Sequence, residues 1–118
     1  SDSIQLWDRL SKEFKPDRNI IFDLLNEPHD IPVERWVDWA YLLGSVVRAN
    51  DPKRVLMIGG MNWAYDLEDV QVNIPNVIYS THVYRNKGRL WDRSFGIADG
   101  SAVAASYLTR ASPRSRRN

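Results

Sequence analysis

Ile4, Trp7, Leu10 and Phe14 recur three or four residues apart, the spacing that gathers side chains on one face of a helix. Asp2 or Ser3 is placed to cap that helix by accepting a backbone N–H bond, and Pro16-Asp17 to stop it. From residue 19 to 25 the text becomes NIIFDLL. A short apolar run rich in β-branched and aromatic residues suits a buried parallel strand. Pro28, just past Asn26-Glu27, has no N–H and forbids further ladder pairing. A second helix is expected over 33–49, with Val33, Trp36, Val37, Ala40, Gly44 and Val47 on one stripe and Asp51-Pro52 closing it. A second strand follows at 55–58, ending at Gly59-Gly60. A short crossover over 62–75 leads to a third strand at 77–84, reading VIYSTHVY. Asn86-Lys87-Gly88 reads as a turn, and residues 91–95 as the opening of another helix. Strands separated by crossovers imply βαβ units and a parallel sheet. The crossover after the second strand is close to the minimum a parallel connection permits, about a dozen residues.

Composition narrows the class. A chain of 118 residues, 43% apolar and 26% charged, has the make-up of one ordinary globular domain. No apolar run approaches the ~20 residues of a membrane helix, so no membrane partner is expected. The absence of Cys excludes disulfides and thiolate metal sites. All 15 acidic residues lie within 1–100, whereas residues 101–118 hold Arg110, Arg114, Arg116 and Arg117 and no acid. The acidic body gives no electrostatic reason to expect a nucleic-acid partner. SAVAASYLT suits one more strand, but ASPRSRRN has no large apolar side chain to bury and is expected to be disordered. The division is therefore a folded segment over 1–100 and a basic tail over 101–118. Ser1 opens the chain with no signal-peptide pattern after it, and is expected to be a cut end.

Candidate chemistry collects at the C-terminal ends of the strands, where parallel α/β architectures bind their ligands. The first strand ends in Asn26-Glu27, the second is followed by Gly59-Gly60 and Trp63, and the third carries His82 and Tyr84. Two residues apart on a strand, His82 and Tyr84 share a face. A carboxylate just past a buried strand is partly desolvated, which raises its pKa toward the range of a general acid. A capping or surface Glu at the turn is the plainer alternative for Glu27, and a core histidine satisfied by backbone for His82. Trp63 offers a flat indole on which a sugar ring can stack; its plainer alternative is a loop side chain folded onto the rim. Trp7, Trp36 and Trp39 lie on helices and read as packing. His29 and His82 lack metal-ligand spacing, and no phosphate or nucleotide loop or nucleophile-elbow motif occurs. No metal or cofactor is expected.

Together these stretches resemble glycoside hydrolase family 5, the family of many cellulases and mannanases. IIFDLLNEPHD resembles its fourth barrel strand, VLMIGGMNWAYDL the fifth and its loop, NVIYSTHVYRNKG the sixth, and WDRSFG the start of the next helix. The resemblance covers about residues 1–96. It implies an α/β fold, part of a TIM (β/α)8 barrel, with about three parallel strands and flanking helices. It implies Glu27 as the general acid/base, Asn26 as a partner of the sugar 2-hydroxyl, and His82 and Tyr84 as active-site residues, with Trp63 lining the cleft. The implied reaction is retaining hydrolysis of a β-1,4-glucan by a monomeric enzyme, extracellular in the parent family. In it, Glu27 protonates the departing oxygen and later deprotonates water, while a second carboxylate attacks the anomeric carbon.

The sequence departs from that family at its nucleophile, and it also lacks the Arg and His of the early strands and the Trp of strand eight. The nucleophile Glu belongs at the end of strand seven, yet no Asp or Glu follows Asp99. A whole barrel of this kind needs about 250 residues. The expectation is a fragment, altered after about Asp99 by a reading-frame shift and inactive alone. A β-mannanase or other retaining barrel glycosidase, a carbohydrate-binding remnant that uses Trp63 and Tyr84, and a non-functional gene fragment are the alternatives.

Overall fold

The computed structural model describes residues 1–82. Tyr84, the turn at 86–88, the helix opening at 91–95, the strand within 101–109 and the tail over 101–118 lie outside the described residues. In chain order the elements are α1 (Asp2–Glu13), β1 (Phe22–Asp23), α2 (Val33–Asn50), β2 (Leu56–Gly59), the single turn α3 (Met61–Ala64) and β3 (Val77–Ser80). The strands form one sheet in the order β1-β2-β3, and both pairings are parallel. Phe22 is level with Leu56 and Val77, and Asp23 with Met57 and Ile78.

The period-two alternation of each strand divides the sheet. Phe22 and Leu24, with Leu56 and Ile58, turn to the helices and are buried in one core with Trp36, Ala40, Leu43 and Val47 of α2. Each large side chain buried this completely contributes about 1.5–3 kcal/mol. Trp7 and Leu10 of α1 pack against the same core, and the Trp7 and Phe22 rings meet at 5.3 Å. Ile21 and Leu25, at odd positions of the first strand run, remain 47% and 42% exposed. An apolar face left open on a parallel sheet calls for a further covering layer. Among the described residues nothing supplies one.

Several expectations from the sequence change. Ser1, not Asp2 or Ser3, is the N-cap of α1, accepting from Ile4 N. The helix ends at Glu13, and Phe14 caps it with its N–H on Leu10 O. Pro16 cannot continue the ladder and restricts the residue before it, so the Phe14 ring leaves the apolar stripe. The strand expected over 19–25 is laddered only at Phe22–Asp23, opposite Leu56 and Met57 of β2. α2 matches its expected stripe, with Leu43 added to it. Trp39 is 46% exposed and lies outside the buried core that Trp36 joins. Between β2 and β3 the crossover has no covering helix; Leu67, Val70 and Val72 fill that place as buried loop residues, and the Tyr79 hydroxyl accepts from Val72 N at 2.8 Å.

At the end of the sheet away from the candidate site residues, Arg54 ties four segments together. Its guanidinium donates to Asp51 Oδ2 and to the carbonyls of Phe14, Asp17 and Ile20. Its face lies 4.9 Å from the Phe22 ring centroid. Arg18 closes on Asp51 from the solvent side at 2.7 Å. Its hydrogen bonds and charge hold the Asp51 carboxyl below the usual carboxylate range.

Candidate active site

Glu27 sits where the chain leaves β1 for α2. Its φ is +50°, a left-handed conformation that costs a non-glycine residue roughly 1 kcal/mol or more and persists only where surrounding contacts fix it. The fixing contact is one residue on, where Pro28 O accepts from Trp63 N at 2.9 Å. That bond joins the β1 and β2 loops across the end of the sheet. Glu27 consequently turns its carboxyl along the strand ends instead of out into solvent, with 30% of its side chain still exposed.

His82 comes to the same place from β3. Its N–H donates to Ala64 O at 2.7 Å, and next to it Thr81 Oγ1 donates to Tyr65 O at 3.0 Å. The backbone anchors of both residues thus rest on the β2 loop. The imidazole is 7% exposed, and its Nδ1 lies 2.9 Å from Glu27 Oε1. A carboxylate in that position accepts from an Nδ1–H; a carboxylic acid donates to a bare Nδ1. In either arrangement the contact is one hydrogen bond with a single proton along it. His82 is buried, and its ring partner is the Glu27 carboxyl rather than backbone alone.

Trp63 occupies an unusual turn. Asn62, Trp63 and Ala64 all have positive φ, at 52°, 59° and 58°. Three successive left-handed non-glycine residues are a strained arrangement. Met61 N on Asp66 O at 2.7 Å pins the turn, with Trp63 N and Ala64 O held as described. The indole stands 50% exposed. One of its faces is stacked on His29, with ring centroids 4.6 Å apart and planes 9° from parallel. His29 in turn donates from Nδ1 to Glu27 O at 2.8 Å.

Of the residues picked from the sequence, Glu27, His82 and Trp63 are thus joined through one set of contacts. Asn26 is exposed beside Glu27 and borders, with Leu25 and Trp39, an open cavity of about 360 Å³. Tyr84 lies outside the described residues. Two groups escaped the sequence reading. His29 was weighed only as a metal ligand, and its signal was its place two residues after Glu27 in the same turn. Asp23 was counted as part of a strand, although an acid inside NIIFDLL was itself a signal. It lies on the open sheet face, where burial pushes its carboxyl above the usual range while His82 draws it back. Among the described residues no group of three His, Asp or Glu is placed to hold a metal ion.

The family model described as cellulase (glycosyl hydrolase family 5) matches residues 2–107. Endoglucanase A of Evansella cellulosilytica is 32% identical over 87 residues, which is 68% of this chain and 18% of that protein. Among solved structures, the cellulase Cel5C_n superposes with a TM-score of 0.76 at 25% identity, covering 87% of this chain and 34% of that one. XacCel5A, solved in complex with cellopentaose, superposes with a TM-score of 0.62 at 26% identity over 72% of this chain and 32% of its own. The chain therefore spans about a fifth to a third of the length of these proteins. Its three parallel strands with their helices form part of the (β/α)8 barrel those structures contain, which explains the open apolar face at Ile21 and Leu25. By sequence and by fold, this chain belongs to the cellulase family, glycosyl hydrolase family 5.

Proposed function

We propose that this chain carries the acid/base half of a retaining β-glycosidase site acting on a β-1,4-glucan. The observation that carries the reading is the 2.9 Å contact between Glu27 Oε1 and His82 Nδ1 at the strand ends, beside an exposed indole. In the first step the Glu27 carboxyl protonates the departing glycosidic oxygen as the sugar is transferred to a second carboxylate. In the next it accepts a proton from the water that releases the sugar. His82 orients the Glu27 carboxyl and shares its proton between the steps. Asn26 reaches the sugar 2-hydroxyl from the adjacent position, Trp63 stacks on a sugar ring, and Tyr84 joins the site from the chain beyond β3. The cellopentaose held by XacCel5A supports a glucan as substrate.

The second carboxylate is the part this sequence does not supply after Asp99, so the chain alone is without hydrolytic activity. General acid/base assistance by itself is worth on the order of 10²–10⁴ in rate, and it has no covalent step to assist here.

The test is made in a completed barrel whose residues 1–82 are those of this chain. Glu27→Gln is expected to slow hydrolysis of cello-oligosaccharides by at least 10², and to spare the first step on substrates with activated leaving groups. Equal loss on both kinds of substrate removes the acid role. The same barrel, assayed on β-mannan and xylan, separates a glucanase from other retaining glycosidases. The exposed indole also favours a purely carbohydrate-binding role, which predicts saturable cellotetraose binding that Glu27→Gln leaves untouched.

A further inference from the structure

We infer that His29 is a positioning residue for the sugar platform: by covering one face of the Trp63 indole it leaves the opposite face as the sole docking surface for a glucose ring. The inference rests on the proposed sugar-binding role of Trp63 and adds which face is used and what holds the ring in place.

An indole on a loop has two faces and rotates about two side-chain torsions. Here the backbone of Trp63 is fixed in a left-handed turn by Pro28 O, so the remaining freedom is that of the side chain. The His29 ring removes it, lying 9° from parallel at 4.6 Å. That separation and angle leave no room for a pyranose ring, which needs its own van der Waals thickness of roughly 3.5–4 Å from the indole plane. A sugar therefore approaches from the other side of the indole, and Trp63 as a whole is 50% exposed.

The imidazole is itself held. Its Nδ1–H is committed to Glu27 O at 2.8 Å, and its Nε2 lies 3.9 Å from Asp30 Oδ2. Glu27, His29 and Trp63 thus form a closed circuit: the Glu27 carbonyl orients the imidazole, the imidazole orients the indole, and Trp63 N returns to Pro28 O. The platform is registered against the residue proposed to protonate the glycosidic oxygen. Stacked aromatic pairs contribute enough to hold a side chain in one rotamer, and a preorganised surface binds more tightly than one that must be ordered on contact.

The test uses this chain, with cellotetraose as the probe. In the free protein the His29 ring protons are expected upfield of those of an unstacked imidazole and to return to ordinary positions in Trp63→Ala. Cellotetraose binding, followed by calorimetry, should weaken about 2- to 10-fold in His29→Ala and recover in part in His29→Phe, which keeps the stack but loses the bond to Glu27 O that orients it. On titration, sugar protons should contact the Trp63 ring while the His29 ring shifts persist. Loss of those shifts on binding, or equal affinity of His29→Ala and the unaltered chain, overturns the inference. If Trp63→Ala binds as well as the unaltered chain, or if that chain binds no cellotetraose, the underlying platform role falls and this inference with it. Weakening by Trp63→Ala with no effect of His29→Ala removes the present inference alone.

Discussion

Replacing Arg54 by Met keeps most of the side-chain volume and removes the guanidinium. The Arg54 side chain is 1% exposed and Asp51 2%, so the loss falls on groups that water reaches poorly. Three carbonyls lose a donor at 2.6–2.7 Å, those of Phe14, Asp17 and Ile20, and Asp51 Oδ2 loses one at 3.0 Å. Removing one member of a buried ion pair costs about 3–5 kcal/mol, because the other charge is left uncompensated. Here Arg18 still reaches both Asp51 oxygens from the surface, which places the expected loss near the lower end, about 3 kcal/mol. That is a large share of the 5–15 kcal/mol typical of a domain. Urea unfolding followed by tryptophan fluorescence measures it at pH 7. Arg54→Lys should recover only part of the loss, since an ammonium cannot span carbonyls from three segments at once. A loss below about 0.5 kcal/mol in Arg54→Met would refute the reasoning, because it would mean that these carbonyls and Asp51 find other partners at no cost.

Asp51 also sets a pH dependence. Its folded-state pKa is depressed, chiefly by the Arg18 bond, so its contribution to stability is present above the unfolded value of about 3.9 and is lost as pH falls through the folded value. Unfolding curves between pH 7 and 2 should show this fall, and Asp51→Asn should flatten it. Asp23 works in the opposite sense: burial raises its pKa, so the folded state prefers the protonated form and stability is lost as pH rises above the unfolded value. Asp23→Asn should raise the urea midpoint at pH 7 and leave it unchanged near pH 3. A Cβ on Gly60 would collide with the backbone carbonyl of Asp66, with the carbonyl carbon at 2.7 Å. Gly60→Ala should therefore destabilise the chain by at least about 1 kcal/mol and displace the Trp63 turn, seen as a shift of the Trp63 indole resonance.

The elements that could be read from the sequence are those whose periodicity reports burial. α2 stands within one residue of its expected end because Trp36, Ala40, Gly44 and Val47 repeat at helical spacing and all are buried. β2 is an apolar run buried on the helix-facing side, and the start of β3 is an apolar run partly buried there. The boundaries that moved depend on partners far away in sequence: β1 is only as long as its pairing with β2 allows, and Phe14 leaves its stripe because of a local proline. Trp39 stands half exposed because helical spacing fixes a residue's face but not what covers it. In the site, Glu27 and His82 were legible as strand-end residues, but their contact spans 55 positions and depends on the loop that anchors both. The His29–Trp63 stack was not legible, since it follows from left-handed backbone at Glu27, Asn62 and Trp63, and of these residue types only Asn favours that conformation. Arg54 likewise looks like any surface arginine until three carbonyls converge on it.

The proton held between Glu27 and His82 is the feature on which the glycosidase reading depends, and it is directly observable. An imidazole N–H bonded to a carboxyl group exchanges slowly and resonates far downfield in the proton spectrum. One such resonance, assigned to His82 Nδ1, should be present in the unaltered chain, shift when cellotetraose is added, survive in Trp63→Ala, and vanish in Glu27→Ala. A His82 resonance that is indifferent to both cellotetraose and Glu27→Ala would mean that the two groups do not share a sugar-binding mouth, and would contradict the assignment of Glu27 as the acid/base.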